Sequence, residues 1–369
     1  MSYVVFKTVV TNRPQEVSQA LKEALGSSGC TEKPSRQEIL TNSKFYQIRR
    51  LGELDFKCKS NSADLLVYKL VLPKNEEAAK DLALRTATLI TENNDLQITP
   101  LILLSPDKDW KAADIQTLSK GGYDIVLESY FKQLRILGVS DESNVKWVIL
   151  PNANLPYWDN SYIAPIDFMS IYNRMGKIMF SVYKKPDIGI ILNSQTYETT
   201  PFSWTAREYL SFNQYISGVT KSYISFVGVE GLPWMPSLKV KDETMFTPKD
   251  YLNLKSLLEM KQALGVNEIY IVTGTFSTAY TQDPAQTTTV PAEIRKVILE
   301  NTLREVANVK VTNVNITIVM LAQDLSSKEE QIDWSYWGSA STENQAHEVL
   351  LLDILRDAKN KNIKFGFYF

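Results

Sequence analysis

The stretch Ile363–Phe369 (IKFGFYF) at the C-terminus is a short apolar run typical of a β-strand. Seven similar runs precede it: Ile98–Leu104, Tyr123–Leu127, Val145–Leu150, Ile188–Leu192, Tyr223–Val229, Glu268–Thr273 and Asn315–Leu321. Their apolar residues occupy consecutive positions, as expected for parallel strands that are covered on both faces. Helical stretches lie between the runs. Eight strands that alternate with helices predict an α/β fold of the (β/α)8 TIM-barrel type, in which functional residues follow the strands.

The segment before the predicted barrel has a different character. Residues 1–73 are interpreted as a small α+β module, which ends with a strand-like run at Ala63–Leu72. Residues 74–369 form the predicted barrel. The helical stretch Asn75–Asn93 precedes the first run of the barrel, whereas no helix follows the last run. We therefore expect this helix to fill the eighth helical position and to close the ring.

The composition is that of an ordinary soluble protein. The 369 residues are 44% hydrophobic and 22% charged, and the formal net charge is −2. Because this balance provides no basic field for a polyanion, we expect no nucleic acid partner. The N-terminus lacks the basic and apolar regions of a signal peptide, and no run is long enough for a membrane span. We expect a soluble protein that is cytoplasmic by default.

Few residues are suited to metal binding or nucleophilic catalysis. The chain has one histidine, His347, and two cysteines, Cys30 and Cys58, which do not have the spacing of metal ligands. Whether these cysteines form a disulfide or stay as thiols is left open by the sequence. No GxxxxGK[ST] loop is present, and no GxGxxG motif follows a strand. We therefore expect neither a metal nor another cofactor.

Aromatic residues are concentrated in the segments that follow the predicted strands. The binding candidates among them are Trp158, Tyr197, Trp204, Trp234, Trp334 and Trp337, and Trp110 follows the first run. Aromatic faces stack on the apolar faces of sugar rings, and the loops of a barrel mouth gather into one concave rim. The pattern favours a carbohydrate-binding groove. The alternative is that these side chains pack the loops together or contact the N-terminal module.

Carboxylates near the predicted strand ends are candidates for acid/base chemistry. Glu128 follows the second run, Glu230 follows the fifth and Asp324 comes after the seventh. Hydrolysis of a glycosidic bond needs two carboxyl groups about 5 to 9.5 Å apart. Glu230 is the preferred candidate because it directly follows an apolar strand and precedes Gly231. Glu128 and Asp324 are its candidate catalytic partners.

The fourth run resembles a motif of a known family. Gly189–Gln195 (GIILNSQ) occupies the positions where chitinase-like barrels of glycoside hydrolase family 18 have Gly-x-Asp-x-Asp-x-Glu. Ile191 and Asn193 stand in place of the two aspartates, and Gln195 stands in place of the proton-donating glutamate. An amide cannot donate the proton that a leaving sugar oxygen needs. The resemblance implies a glycan-binding barrel that has lost its catalytic acids and that uses Asn193 and Gln195 for binding.

Two functions are consistent with these patterns. The first is a glycan-binding or glycoside-hydrolase-like barrel whose catalytic activity is left open. The second is a non-enzymatic structural protein that self-associates and uses the barrel as a rigid scaffold. The aromatic residues favour the first function, whereas the lost acids favour the second. The fold does not decide between them, because TIM barrels host many unrelated functions.

Overall fold

A computed structural model describes residues 65–95, 98–107, 109–158, 161–194, 212–231, 252–274, 278–280, 287–289, 292–308, 314–321 and 363–368. In these residues, parallel strands form a closed barrel whose order follows the sequence. The strands are β1 (Leu65–Val71), β2 (Thr99–Ser105), β3 (Lys146–Ile149), β4 (Asp187–Asn193), β5 (Phe226–Glu230), β6 (Glu268–Thr273), β7 (Asn315–Leu321) and β8 (Lys364–Tyr368). The ring closes where Leu65 of β1 lies opposite Gly366 of β8. The predicted (β/α)8 barrel is confirmed.

Helices cover the outside of the barrel. They are α1 (Glu76–Asp95), α2 (Ala112–Ser119), α3 (Asp124–Ile136), α4 (Pro165–Val182), α5 (Phe212–Ile216), α6 (Leu254–Leu264) and α7 (Ala292–Asn308). In α4, Pro165 begins the first turn, and the buried Phe168, Ile171, Tyr172 and Met175 recur at helical spacing. Gly265 ends α6 with a left-handed backbone (φ 74°), which glycine adopts without steric cost.

One predicted strand is a helix. Tyr123–Leu127 was expected to be the second barrel strand, but α3 begins at Asp124. The buried residues of α3 are Leu127, Tyr130, Phe131 and Leu134, whose 3.6-residue period becomes visible only over a longer window than five residues. The strand that the prediction left out of the barrel is β1. These two errors cancel, so β4 and β5 are still the fourth and fifth strands of the ring.

The expected N-terminal module lies outside the described residues except for residues 65–73. Within these, β1 pairs with β2 and β8 and therefore belongs to the barrel. Helix α1 connects β1 to β2 and packs against β2 and α3. It is consequently the first barrel helix, and the prediction that it fills the eighth helical position is wrong.

The barrel interior is filled with side chains. The Phe226 and Tyr270 rings lie 4.7 Å apart, and a Cβ atom at Gly189 would clash with the Phe226 ring. At Gly228 an added Cβ would lie 2.8 Å from the backbone oxygen of Tyr270. The two glycines therefore make room for aromatic residues of the neighbouring strands. Since the interior is packed, a ligand site is expected at a barrel end.

The N-terminal end of the barrel carries an ionic cluster centred on Lys146, the first residue of β3. Its Nζ lies 2.7 Å from Asp187 Oδ2 and 2.8 Å from Glu268 Oε2. It also lies 5.1 Å from the centre of the Phe226 ring. The Tyr270 hydroxyl donates to Glu268 Oε1, and burial together with this carboxylate raises the pKa of Tyr270. The first residues of β3, β4, β5 and β6 are thus tied together.

Candidate functional site

Glu230 is the last residue of β5 and lies at the C-terminal end of the barrel. It is 4% exposed. In the strand register it lies beside Asn193 of β4 on one side and Val272 of β6 on the other. Because all barrel strands run parallel, their C-terminal ends meet at one mouth, which is where TIM barrels form their sites. The structure therefore places Glu230 where its sequence position predicts.

Asn193 and Glu230 form a hydrogen-bonded pair across two strands. Asn193 is 1% exposed, and its Nδ2 donates to Glu230 Oε1 at 3.3 Å. The next residue, Ser194, donates from both its backbone N–H and its hydroxyl to the carbonyl oxygen of Glu230, at 2.8 and 3.0 Å. A carboxylate accepts hydrogen bonds, whereas an amide both donates and accepts them. Together they have the chemistry needed to bind hydroxyl groups.

The turn after β3 holds Asn193 through Asn154. The backbone N–H of Asn193 donates to Asn154 Oδ1 at 2.8 Å, and Asn154 Nδ2 donates to the Asn193 carbonyl at 2.7 Å. The turn contains two residues with left-handed backbones, Leu150 (φ 52°) and Asn152 (φ 56°). Such strained conformations are commonly found at functional sites. Sequence reasoning missed Asn154, although the turn-forming composition of residues 151–156 (PNANLP) was a signal.

Contacts on the β6 side fix the backbone that follows Glu230. The N–H of Gly231 donates to the Val272 carbonyl at 2.8 Å, and the buried Thr273 hydroxyl donates to the Gly231 carbonyl at 2.8 Å. The backbone on both sides of the Glu230 side chain is thereby bonded to neighbouring strands. The backbone that carries the Glu230 side chain is consequently held by rigid elements.

Glu128 does not follow a strand. It lies in α3, where its side chain is 42% exposed and pairs with Lys132 at 2.7 Å. The helix containing it packs against α1 and α4 in the outer layer. The prediction that Glu128 ends a strand is wrong, and with it the reason for choosing Glu128 as a catalytic partner of Glu230 falls away.

Most of the predicted site residues lie outside the described residues. They are the aromatic candidates Tyr197, Trp204, Trp234, Trp334 and Trp337, together with Gln195 and Asp324. Trp158 ends the short strand Pro156–Trp158, which pairs with Ser161–Tyr162 in the segment after β3. Trp110 is buried, its Nε1 donates to the Leu72 carbonyl at 3.3 Å, and Lys74 lies over its ring. At Trp110 the alternative of loop packing is therefore correct.

A cavity of about 320 Å³ is lined by residues from the end of β1, the first half of α1 and the segment after β2, and Glu230 is not among its lining residues. Leu70 and Leu82 line it, and its basic lining residues form ion pairs: Lys74 with Asp114 and Arg85 with Asp81. These ion pairs neutralise the charge that an anionic ligand would need. In the part of the chain that the structure describes, no group of three His, Cys, Asp or Glu residues could hold a metal ion, and no helix could cross a membrane.

Comparisons with known proteins do not assign this chain to a family. No family model and no curated protein matches the chain. The resemblance of Gly189–Gln195 to chitinase-like barrels therefore stays a prediction.

Among solved structures, the chain is similar to fungal β-1,4-galactanases, with 13% identity over 70% of this chain and 76% of the other and a TM-score of 0.44. It is also similar to a family 1 β-glucosidase from Thermotoga maritima, with 12% identity, coverage of 88% and 75%, and a TM-score of 0.43. The β-glucosidase from Thermotoga maritima in complex with cyclophellitol gives 11% identity, coverage of 96% and 82%, and a TM-score of 0.44. Similarity this low says nothing about the substrate of this chain.

Proposed function

We propose that the barrel mouth binds carbohydrate and that Glu230 and Asn193 contact sugar hydroxyls. The observation that carries this proposal is the buried carboxylate of Glu230 at the end of β5, hydrogen-bonded to an amide at the end of β4. Burial of a carboxylate is costly, so a protein core does not gain stability from such a group by default. A buried polar pair at the mouth of a TIM barrel is better explained by ligand binding.

The chemistry of the pair favours a neutral, hydroxyl-rich ligand. The Glu230 carboxylate would repel a phosphate or carboxylate ligand but accepts hydrogen bonds from hydroxyls. The Asn193 amide presents both a donor and an acceptor, which suits the mixed hydrogen bonding of sugars. Trp158 lies in the segment after β3 that also contributes Asn154, and we propose it as a stacking surface for a sugar ring.

Hydrolysis requires more than this pair. A glycosidase needs a second carboxyl group about 5 to 9.5 Å from the first. Asp324 is the remaining candidate from the sequence, and Gln195 would bind without donating a proton. We therefore propose glycan binding as the primary function and treat hydrolysis as a property to be measured.

The test is a binding assay with defined β-linked gluco-, galacto- and chito-oligosaccharides on the full chain. Glu230→Gln should weaken the tightest binding about 10-fold or more, since hydrogen bonds to a charged group contribute about 1.5–3 kcal/mol. The matched control is Glu259→Gln, which changes an exposed carboxylate on α6 and should leave binding unchanged. Chromatography of each bound sugar then reveals any cleavage.

Failure of the folded wild-type chain to bind any of these sugars would refute the proposal. If light scattering of the same sample also showed a mass that grows with protein concentration, the scaffold function would take its place. Equal affinities of wild type and Glu230→Gln would instead show that the sugars bind elsewhere.

A further inference from the structure

We propose that Asn154 is a positioning residue for the carbohydrate site proposed above. It acts through Asn193, whose side chain it holds in register with Glu230. The inference rests on the proposed function only for the identity of the ligand. The geometric part, that Asn154 fixes the Asn193–Glu230 pair, can be tested without any ligand.

The side chain of Asn154 substitutes for missing strand pairing. Strands β3 and β4 pair from Lys146 and Asp187 to Val148 and Gly189, and β3 ends at Ile149. Strand β4 continues to Asn193, beyond the end of its partner. There the amide of Asn154 bonds both backbone groups of Asn193, at 2.8 and 2.7 Å. A primary amide can do this because it contains the same donor and acceptor as a peptide unit.

The turn that carries Asn154 is anchored on several elements. The N–H of Leu150 donates to the Leu104 carbonyl of β2, and that of Asn152 donates to the Ile191 carbonyl of β4. The Tyr215 hydroxyl of α5 donates to the carbonyl of Ala153, directly before Asn154. Asn154 therefore projects from a fixed turn, which allows it to set the position of Asn193.

The pair that Asn154 controls is sensitive to position. Asn193 Nδ2 lies 3.3 Å from Glu230 Oε1, near the long end of hydrogen-bond distances. A shift of a few tenths of an ångström at Asn193 is enough to break this bond. Ser194, the residue after Asn193, donates its backbone N–H to the Glu230 carbonyl of β5 at 2.8 Å. Asn154 on the β3 side and Ser194 on the β5 side therefore restrain Asn193 from opposite sides.

The first experiment follows the Asn193 side-chain amide by NMR in the full chain with 15N-labelled asparagine. Asn154→Ala should shift the Asn193 NH2 signals in the same direction as Glu230→Gln does, because both changes remove the bond to the carboxylate. Backbone amide exchange at Asn193 should be at least about tenfold faster, since its N–H loses its acceptor. Asn154→Asp keeps that acceptor and should restore slow exchange.

The chain offers a matched control in Asn173 of α4. Its side chain bridges a distant loop in the same way, donating to the Gly218 carbonyl at 2.8 Å and accepting from the Thr220 N–H at 2.7 Å. Asn173→Ala should leave the Asn193 signals unchanged. If Asn154→Ala also leaves them unchanged in a folded protein, the positioning role is refuted.

The second experiment measures binding of the oligosaccharide that the wild type binds best. Asn154→Ala should weaken binding about 3- to 10-fold, as expected for one lost hydrogen bond in the site. Combined with Glu230→Gln it should add less than it does alone, because both residues act on one network. Full additivity would refute action through the Asn193–Glu230 pair. Absence of sugar binding by the wild type would refute the proposed function, whereas the NMR result would still decide the role of Asn154.

Discussion

Replacement of Lys146 by methionine is expected to lower the free energy of unfolding by about 2–3 kcal/mol. The side chain of Lys146 is 11% exposed, and its two carboxylate partners, Glu268 and Asp187, are 20% and 41% exposed. Removal of one partner of a buried ion pair costs about 3–5 kcal/mol, because a charge is left uncompensated. Only Glu268 approaches that limit. Asp187 is screened by solvent, and Glu268 keeps the Tyr270 hydroxyl as a donor.

Equilibrium unfolding in urea, followed by tryptophan fluorescence, measures this difference. The double variant Lys146→Met/Glu268→Gln should recover part of the loss, since the uncompensated carboxylate is then neutral. Lys132→Met is the control: it removes an exposed ion pair with Glu128 within α3 and should cost no more than about 0.5 kcal/mol. Sugar binding by Lys146→Met should match that of the wild type, because the cluster lies at the opposite end of the barrel.

A loss below about 0.5 kcal/mol for Lys146→Met would contradict this reasoning. It would mean that the cluster is as well screened as the Lys132 pair. A double variant no more stable than Lys146→Met would contradict it as well, because the loss would then come from packing against Phe226 and Tyr270 and not from charge.

Three further predictions concern stability and binding. Gly228→Ala should cost about 1–3 kcal/mol in urea unfolding, because its Cβ would press on the backbone of Tyr270. Hydrogen bonds from Lys74 and the Lys111 backbone lower the pKa of Asp114, so its contribution to stability is full above its ordinary pKa of 3.8 and is lost as the pH falls through the lowered value. Asp114→Asn should therefore destabilise the protein at neutral pH and reduce the acid dependence of unfolding below pH 4. Glu128→Gln should leave sugar binding and any hydrolysis unchanged, since Glu128 lies in the helical layer.

Most of the barrel strands could be predicted from the sequence. Helices cover one face of each strand and interior side chains cover the other, so the apolar residues stand at consecutive positions and are easy to recognise. Asn315–Leu321 and Glu268–Thr273 were predicted with the bounds that the structure has. The error at Tyr123–Leu127 has a physical cause: Ile125, which is 73% exposed on the outer side of α3, extends the apolar run formed with Val126 and the buried Leu127, so that five residues resemble a strand. Strand β1 was recognised as a strand, but pairing between β1 and β8 joins residues about 300 positions apart and leaves no local signal.

The same distinction, between local sequence signals and contacts of distant residues, applies to the candidate site. Glu230 was predicted because it directly follows an apolar strand, whereas Asn193 was named from the resemblance of Gly189–Gln195 to a family motif. The two residues meet because neighbouring parallel strands bring their ends together. The turn that carries Asn154 has a signal in its composition, but the role of Asn154 could not be predicted, since it depends on a contact with a residue 39 positions away. Glu128 was chosen by the same rule as Glu230, and it failed because the rule was applied to a helix.

An aspartate at position 193 would give the site a second carboxylate next to Glu230. Asn193→Asp therefore tests how firmly residue 193 is held against Glu230. The substitution would place a second carboxylate about 3.3 Å from Glu230 Oε1, at the distance of the present hydrogen bond. Two carboxylates this close share a proton, so the pair's folded-state pKa rises above its unfolded value. The folded state then binds more protons than the unfolded state, and stability falls as the pH rises through that pKa. Unfolding at pH 5 and pH 8 should show a larger loss relative to wild type at pH 8. An equal loss at both pH values would mean that the two side chains separate when both are charged, and that Asn154 does not hold residue 193 against Glu230.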